Sequence, residues 1–131
     1  MVSSLITSVR GTLESVGPDW ADVSVGGFTL RLSIPTPTAE RLGSIGDQVR
    51  LVTSLQVRED SLTLFGFLTE EDRLTFDALI GVNGVGPRVA LSVLSRFTPA
   101  SLAAAVGSGD TDAFAGVSGV GKKNASRIVL E

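Results

Sequence analysis

Cysteine, histidine and tyrosine are missing from this 131-residue chain, and tryptophan and methionine occur once each. Without cysteine there can be no disulfide and no thiolate nucleophile or ligand. Without histidine the commonest general base and the usual nitrogen ligand for metals are gone as well. Neither a metal centre nor a cofactor is therefore expected, and no cluster of residues suggests catalysis. No apolar run approaches the roughly 18 residues needed to cross a membrane, and no basic segment leads into an apolar stretch and a cleavage site. No membrane partner is expected, and the cytoplasm is the default location.

What the chain does have is 43% apolar content, enough for a globular fold rather than a disordered one. Halves of about 65 residues would each bury only about 60% of their unfolded surface, so burial between halves or between subunits is expected. The formal charge of −3 divides unevenly. Residues 1–69 hold five Arg against seven acids, a net of −2, and residues 70–78 hold one Arg against four acids, a net of −3. Residues 79–131 hold five basic and three acidic side chains, a net of +2. Positive charge is thus gathered in the last segment, where an anionic partner would be met.

The first half has β texture. Residues 5–16, 21–25, 28–34, 47–57 and 62–67 are the expected strands. Period-two alternation is clearest in Val23/Val25, Leu30/Leu32/Ile34 and Leu51/Thr53/Leu55/Val57. Turn residues separate them at Gly17-Pro18-Asp19, Gly26-Gly27, the Pro35 to Gly46 stretch and Arg58-Glu59-Asp60-Ser61. Five short strands with one longer connection after the third suit a small Greek-key barrel of the OB type, with an SH3-like barrel as the competing pattern.

The regime changes at Thr69. This residue is an expected N-cap, Glu70, Glu71 and Asp72 load the first helical turn, and Leu74, Phe76, Leu79 and Ile80 form an apolar face. The boundary is placed at about residue 68, giving an α+β chain of two small domains, 1–68 and 69–131. Thr98-Pro99 opens another short helix running through Val106.

Inside the second domain the chain says one thing twice. Leu79 to Ala90 recurs 35 positions later as Phe114 to Ala125, with Gly81, Val82, Gly84, Val85, Gly86 and Ala90 matching Gly116, Val117, Gly119, Val120, Gly121 and Ala125. A repeat this local is a supersecondary unit used as a pair. In each copy an apolar helical segment runs into Gly-Val-Gly and a second helix follows. The glycines permit a tight bend and close approach to another surface. Val85 and Val120 are expected to tuck inward, while Pro87 suits a first helical turn. Free amides at the start of the second helix point outward with the positive end of its dipole, so the natural ligand is a phosphate. The expected phosphate-binding residues are Gly84, Val85, Gly86 and Arg88 in the first copy, with Gly119, Val120, Gly121, Lys122, Lys123 and Arg127 in the second. Such groups read backbone charge, so binding should ignore base sequence and weaken with salt.

One motif misleads. Gly116, Gly121 and Lys122 fit a Gly-x-x-x-x-Gly-Lys-Ser/Thr phosphate loop, but Lys123 stands where the magnesium-binding hydroxyl is needed. A helix-like segment from Asp112 also precedes it where a strand is required. ATP binding is not expected, so any motor belongs to a partner. Trp20 and Phe28 are the aromatics early enough to serve a barrel face; Trp20, in an expected turn region, reads as packing or loop surface, and Phe28 alone is a stacking candidate.

The duplicated motif, preceded by Val57-Arg58-Glu59-Asp60-Ser61 and Leu64-Phe65-Gly66-Phe67, resembles the RuvA family of Holliday-junction-binding proteins, from about Ile6 to the last residue. That resemblance favours the OB barrel and implies two helix-hairpin-helix motifs. It implies that Glu59 and Asp60 form an acidic pin, four of which meet at the centre of a four-way junction in a homotetramer, or in an octamer of two such rings. It further implies no catalytic residue in this chain, loading of a RuvB-type hexameric ATPase for branch migration, and association with a RuvC-type resolvase. Family members continue through a linker into a third, helical domain that contacts the motor, and that domain is not expected within these residues. Taken alone, two carboxylates on a turn are ordinarily a solvated hairpin tip. Two other readings stand beside this one: a helix-hairpin-helix subunit of a repair nuclease or ligase, and a scaffold that binds no DNA.

Overall fold

The computed structural model describes residues 5–82, 84–109 and 111–114. Five strands come first: β1 (Ser8–Val16), β2 (Trp20–Val25), β3 (Phe28–Ser33), β4 (Gln48–Val57) and β5 (Leu62–Phe67), with helix α1 (Thr36–Arg41) between β3 and β4. They close into a barrel in the order β1-β2-β3-β5-β4. Every pairing is antiparallel except β3 with β5, where Leu32 faces Leu64 and Ser33 faces Phe65 in parallel. A parallel step needs a crossover rather than a hairpin, and the stretch holding α1 and β4 supplies it. This is the OB-type arrangement expected from the strand pattern.

Alternation along each strand sends one set of side chains inward. Val9, Leu13, Ala21, Val23, Leu32, Ile34, Val49, Leu51 and Leu64 form the barrel core. β1 bends across a register shift between Leu13 and Ser15, the kind of bulge that lets a strand curve around a small barrel. Two backbones come unusually close beside it: a Cβ on Gly11 would lie 2.1 Å from the Ser24 carbonyl oxygen. Buried Thr53 is satisfied by donating its hydroxyl proton to the Ile6 carbonyl.

The Pro35 to Gly46 stretch, expected as a turn-bearing longer connection, contains a helix. Pro37 lies in the first turn of α1, where a missing amide costs nothing; a residue that reads as a breaker therefore starts the element. Leu42, just past its end, joins the barrel core, and Ala39 packs against it. β1 also starts later than expected, at Ser8 rather than Leu5.

Beyond the barrel come α2 (Glu70–Ile80), α3 (Pro87–Arg96) and α4 (Pro99–Gly107), then a single 3-10 turn, Thr111–Phe114. The chain divides into two compact units, Met1–Arg73 and Leu74–Glu131, so the division falls inside α2. In the second unit Phe76, Leu79, Val82, Val85, Ala90, Val93, Leu94, Leu102, Ala105 and Phe114 are buried. Phe97 and Phe114 meet at 5.1 Å between ring centroids, tilted by 42°, within the range favoured by aromatic pairs.

Candidate nucleic-acid interface

The first glycine bend is built from α2 into α3. Past the end of α2 the chain turns through Gly81 N–H to Ala78 O (3.2 Å), Val82 N–H to Leu79 O (3.0 Å) and Val85 N–H to Val82 O (3.0 Å). Gly84 has φ +88°, a left-handed conformation that a side chain would strain. Val82 and Val85 are buried, so the apolar residues of the bend anchor it while Gly84 stays exposed. Ala90 has no exposed surface and lies one turn into α3, where its amide bonds the Gly86 carbonyl at 3.0 Å.

The start of α3 differs from those of its two neighbours. Thr69 accepts a bond from the Asp72 amide at 3.1 Å ahead of α2, whose first turn carries three acids. α4 has a reciprocal capping box between Thr98 and Ser101. α3 begins at Gly86 with no side-chain cap and no acid in its first turn. Pro87 brings no amide, so the early donors are those of Arg88 and Val89, without an intrahelical partner. Exposed Arg88 adds a cation to the positive end of the helix dipole. A helix start with backbone amides, a guanidinium and no acid in its own first turn has the chemistry to receive an anion.

Of the expected phosphate-binding residues, Gly84, Val85, Gly86 and Arg88 lie at this bend. Gly119, Val120, Gly121, Lys122, Lys123 and Arg127 lie outside the described residues.

Glu59 and Asp60 are both exposed at the tip joining β4 to β5. The tip is closed by a bond from the Arg58 amide to the Ser61 carbonyl at 2.8 Å, above the Val57–Leu62 pair. Val57 and Leu62 are 70% and 69% exposed, so the hairpin projects beyond the barrel core with its carboxylates foremost.

Two arginines elsewhere in the first unit are paired with acids. Arg31 grips Asp22 with two bonds of 2.8 and 2.9 Å and lies over the Trp20 ring, 4.1 Å from its centroid. The hydrogen bond from Arg31 holds the Asp22 carboxyl below its usual range. Glu70 is likewise lowered, first by its bond from Arg73 and more weakly by the charges of Arg73 and Arg50. Trp20, covered in this way, is a packing residue. Phe28 is 74% exposed at the start of β3. Pairings such as Trp20 with Arg31 had no local signal, because they depend on how β2 and β3 align.

A closed OB-type barrel leading into a glycine-bent helix pair with an uncapped second helix defines a class: barrel proteins that carry helix-hairpin-helix motifs. Comparison with known proteins narrows it. Residues 6–66 match the RuvA N terminal domain, and residues 76–131 match the SAM-like helix-hairpin-helix tandem. The chain is 42% identical over 127 residues to the Holliday junction branch migration complex subunit RuvA of Dehalococcoides mccartyi, covering 97% of this chain and 66% of that one. Identity to the subunit of the same name from Symbiobacterium thermophilum is 47%, covering 97% and 62%, and to that of Salinispora arenicola 46%, covering 97% and 63%. Over the stretch those relatives share with it, this chain belongs to the RuvA family. It spans between 62% and 66% of the length of these curated relatives.

Proposed function

We propose that the chain is the junction-binding part of a RuvA-type subunit, a non-catalytic protein that selects four-way DNA by shape and holds its arms by their phosphates. The observation that carries the reading is the start of α3: exposed Gly84, uncapped Gly86 and Arg88 form an anion site where the neighbouring helices are capped. In the same reading the second repeat offers Gly119, Val120, Gly121, Lys122, Lys123 and Arg127 to a second stretch of backbone. The working domains are 1–68, the barrel with its acidic hairpin, and 69–131, the helix-hairpin-helix tandem.

Glu59 and Asp60 act by repulsion. Four subunits around a junction bring four acidic tips to the crossover, where carboxylates push phosphates apart while the basic bends hold the arms farther out. The open, nearly planar junction is then ready for a RuvB-type hexameric ATPase, loaded on opposite arms to drive branch migration in recombination and repair. A RuvC-type resolvase can act on the same open form. The work is cytoplasmic, where chromosomal junctions of a bacterium lie.

The test is a competitive gel shift of four-way junction against linear duplex of equal length, with light-scattering mass on the same sample. Preference for the junction by a tetrameric or octameric species is the expected result. Cleavage or nicking of DNA with magnesium would replace this reading with that of a repair nuclease. Absence of salt-dependent DNA binding would leave only an assembly scaffold.

A further inference from the structure

The barrel carries a second basic feature. In the antiparallel ladder of β1 with β4, Arg10 stands directly opposite Arg50. Residues paired in this way share a face, with Cβ atoms about 5 Å apart, and like charges so placed destabilise the sheet. Both arginines are exposed. The ladder positions flanking them on that face are Ser8 with Val52 and Thr12 with Gln48, none of them acidic, and the Gln48 side chain is occupied in a bond to Thr12 of 2.7 Å. Glu70 feels the charge of Arg50, but its hydrogen bond goes to Arg73.

What sets the pair apart from exposed Arg41 and Arg58, which also have no ion pair among the described residues, is that the ladder puts two cations directly opposite one another. Arg31 and Arg73 are each bonded to an acid, in a segment that is acidic overall. Arg10 and Arg50 are left side by side, with neither in an ion pair among the described residues. A cross-strand repulsion that is eased by the nearby charge of Glu70 but answered by no ion pair among the described residues suits a ligand that supplies further negative charge.

We propose that Arg10 and Arg50 form a phosphate clamp on the barrel wall that takes the sugar-phosphate backbone of duplex DNA, using residues outside the helix-hairpin-helix motifs. Two guanidiniums rooted about 5 Å apart can close on one phosphate or span two successive ones, since each strand of a duplex presents a charge every ~3.4 Å of axis. The bidentate fork of arginine suits this ligand better than a lysine would. The clamp deepens the DNA-binding reading above and rests on it.

The experiment compares the full chain with Arg10→Gln/Arg50→Gln, and with Arg41→Gln/Arg96→Gln, both exposed, as a control of equal charge loss, on a linear duplex of about 30 base pairs across a salt series. The Arg10/Arg50 variant is expected to bind about tenfold more weakly at low salt, with a log-log salt slope shallower by about one to two. Its melting temperature should hold or rise, because the repulsion across the ladder is gone; the control should keep most of the affinity. Unchanged affinity and slope in the Arg10/Arg50 variant overturn the clamp while leaving the parent's DNA binding intact. An equal loss in the control reduces the effect to net charge and overturns it too. A parent chain that fails to bind duplex or junction at any salt overturns the DNA-binding reading itself, and the clamp with it.

Discussion

Gly11 makes a sharp demand on side-chain size. Its would-be Cβ lies 2.1 Å from a backbone oxygen on the neighbouring strand, and a backbone atom cannot swing aside as a flexible side chain can. Gly11→Ala should therefore destabilise the barrel by about 3 kcal/mol, the upper part of the usual overpacking range, read as a lower urea midpoint. Asp22 sets a different kind of condition. Its folded-state pKa is depressed by the Arg31 bond, so it contributes stability above the unfolded value that is lost as pH falls through the folded one. Denaturation below about pH 4 should be less pH-dependent in Asp22→Asn than in the parent, the two curves converging toward acid. Arg31 is largely exposed, so the effect is modest.

Among the elements, α3 offers a test in which stability and binding move in opposite directions. Gly86 has φ −91° and ψ 176°, extended angles open to any residue, and a Cβ there meets nothing within 4 Å. Gly86→Asp would cap α3 and complement its dipole, raising stability by about 0.5 kcal/mol. The same carboxylate would occupy the open amides, so duplex affinity should fall by about tenfold in a fluorescence anisotropy titration. Thr98→Ala, at the capped α4, is the mirror case: a loss of about 1 kcal/mol with DNA affinity retained. The α2–α3 bend was legible because its code is local, Gly-Val-Gly followed by proline and an apolar spacing. α1 was not, because Pro35 and Pro37 look like interruptions until Pro35 is seen to be the cap and Pro37 to lie in the first turn. The parallel closure of β3 on β5 was hidden for another reason: it joins segments far apart in sequence, and nothing in Leu32 or Leu64 names its partner. Arg10 opposite Arg50 was invisible on the same grounds, since a register must exist before two charges can face each other.

For the molecule as a whole, affinity and selectivity should come from opposite charges. With two to four phosphates neutralised per subunit, the log-log salt slope per subunit should be about −2 to −4, measured on linear duplex. Glu59→Gln with Asp60→Asn should tighten binding to that duplex and blunt the preference for a junction; equal changes on both substrates would count against a repelling role. The hairpin is well suited to this comparison. No residue other than glycine takes a positive φ among the described residues, and the Arg58–Ser61 bond that closes the tip uses only main-chain atoms. Shape and sign are thereby uncoupled at positions 59 and 60. The same loop can be made neutral, acidic or basic without redrawing its path, so a graded series there would titrate how much electrostatic pressure an open crossover needs.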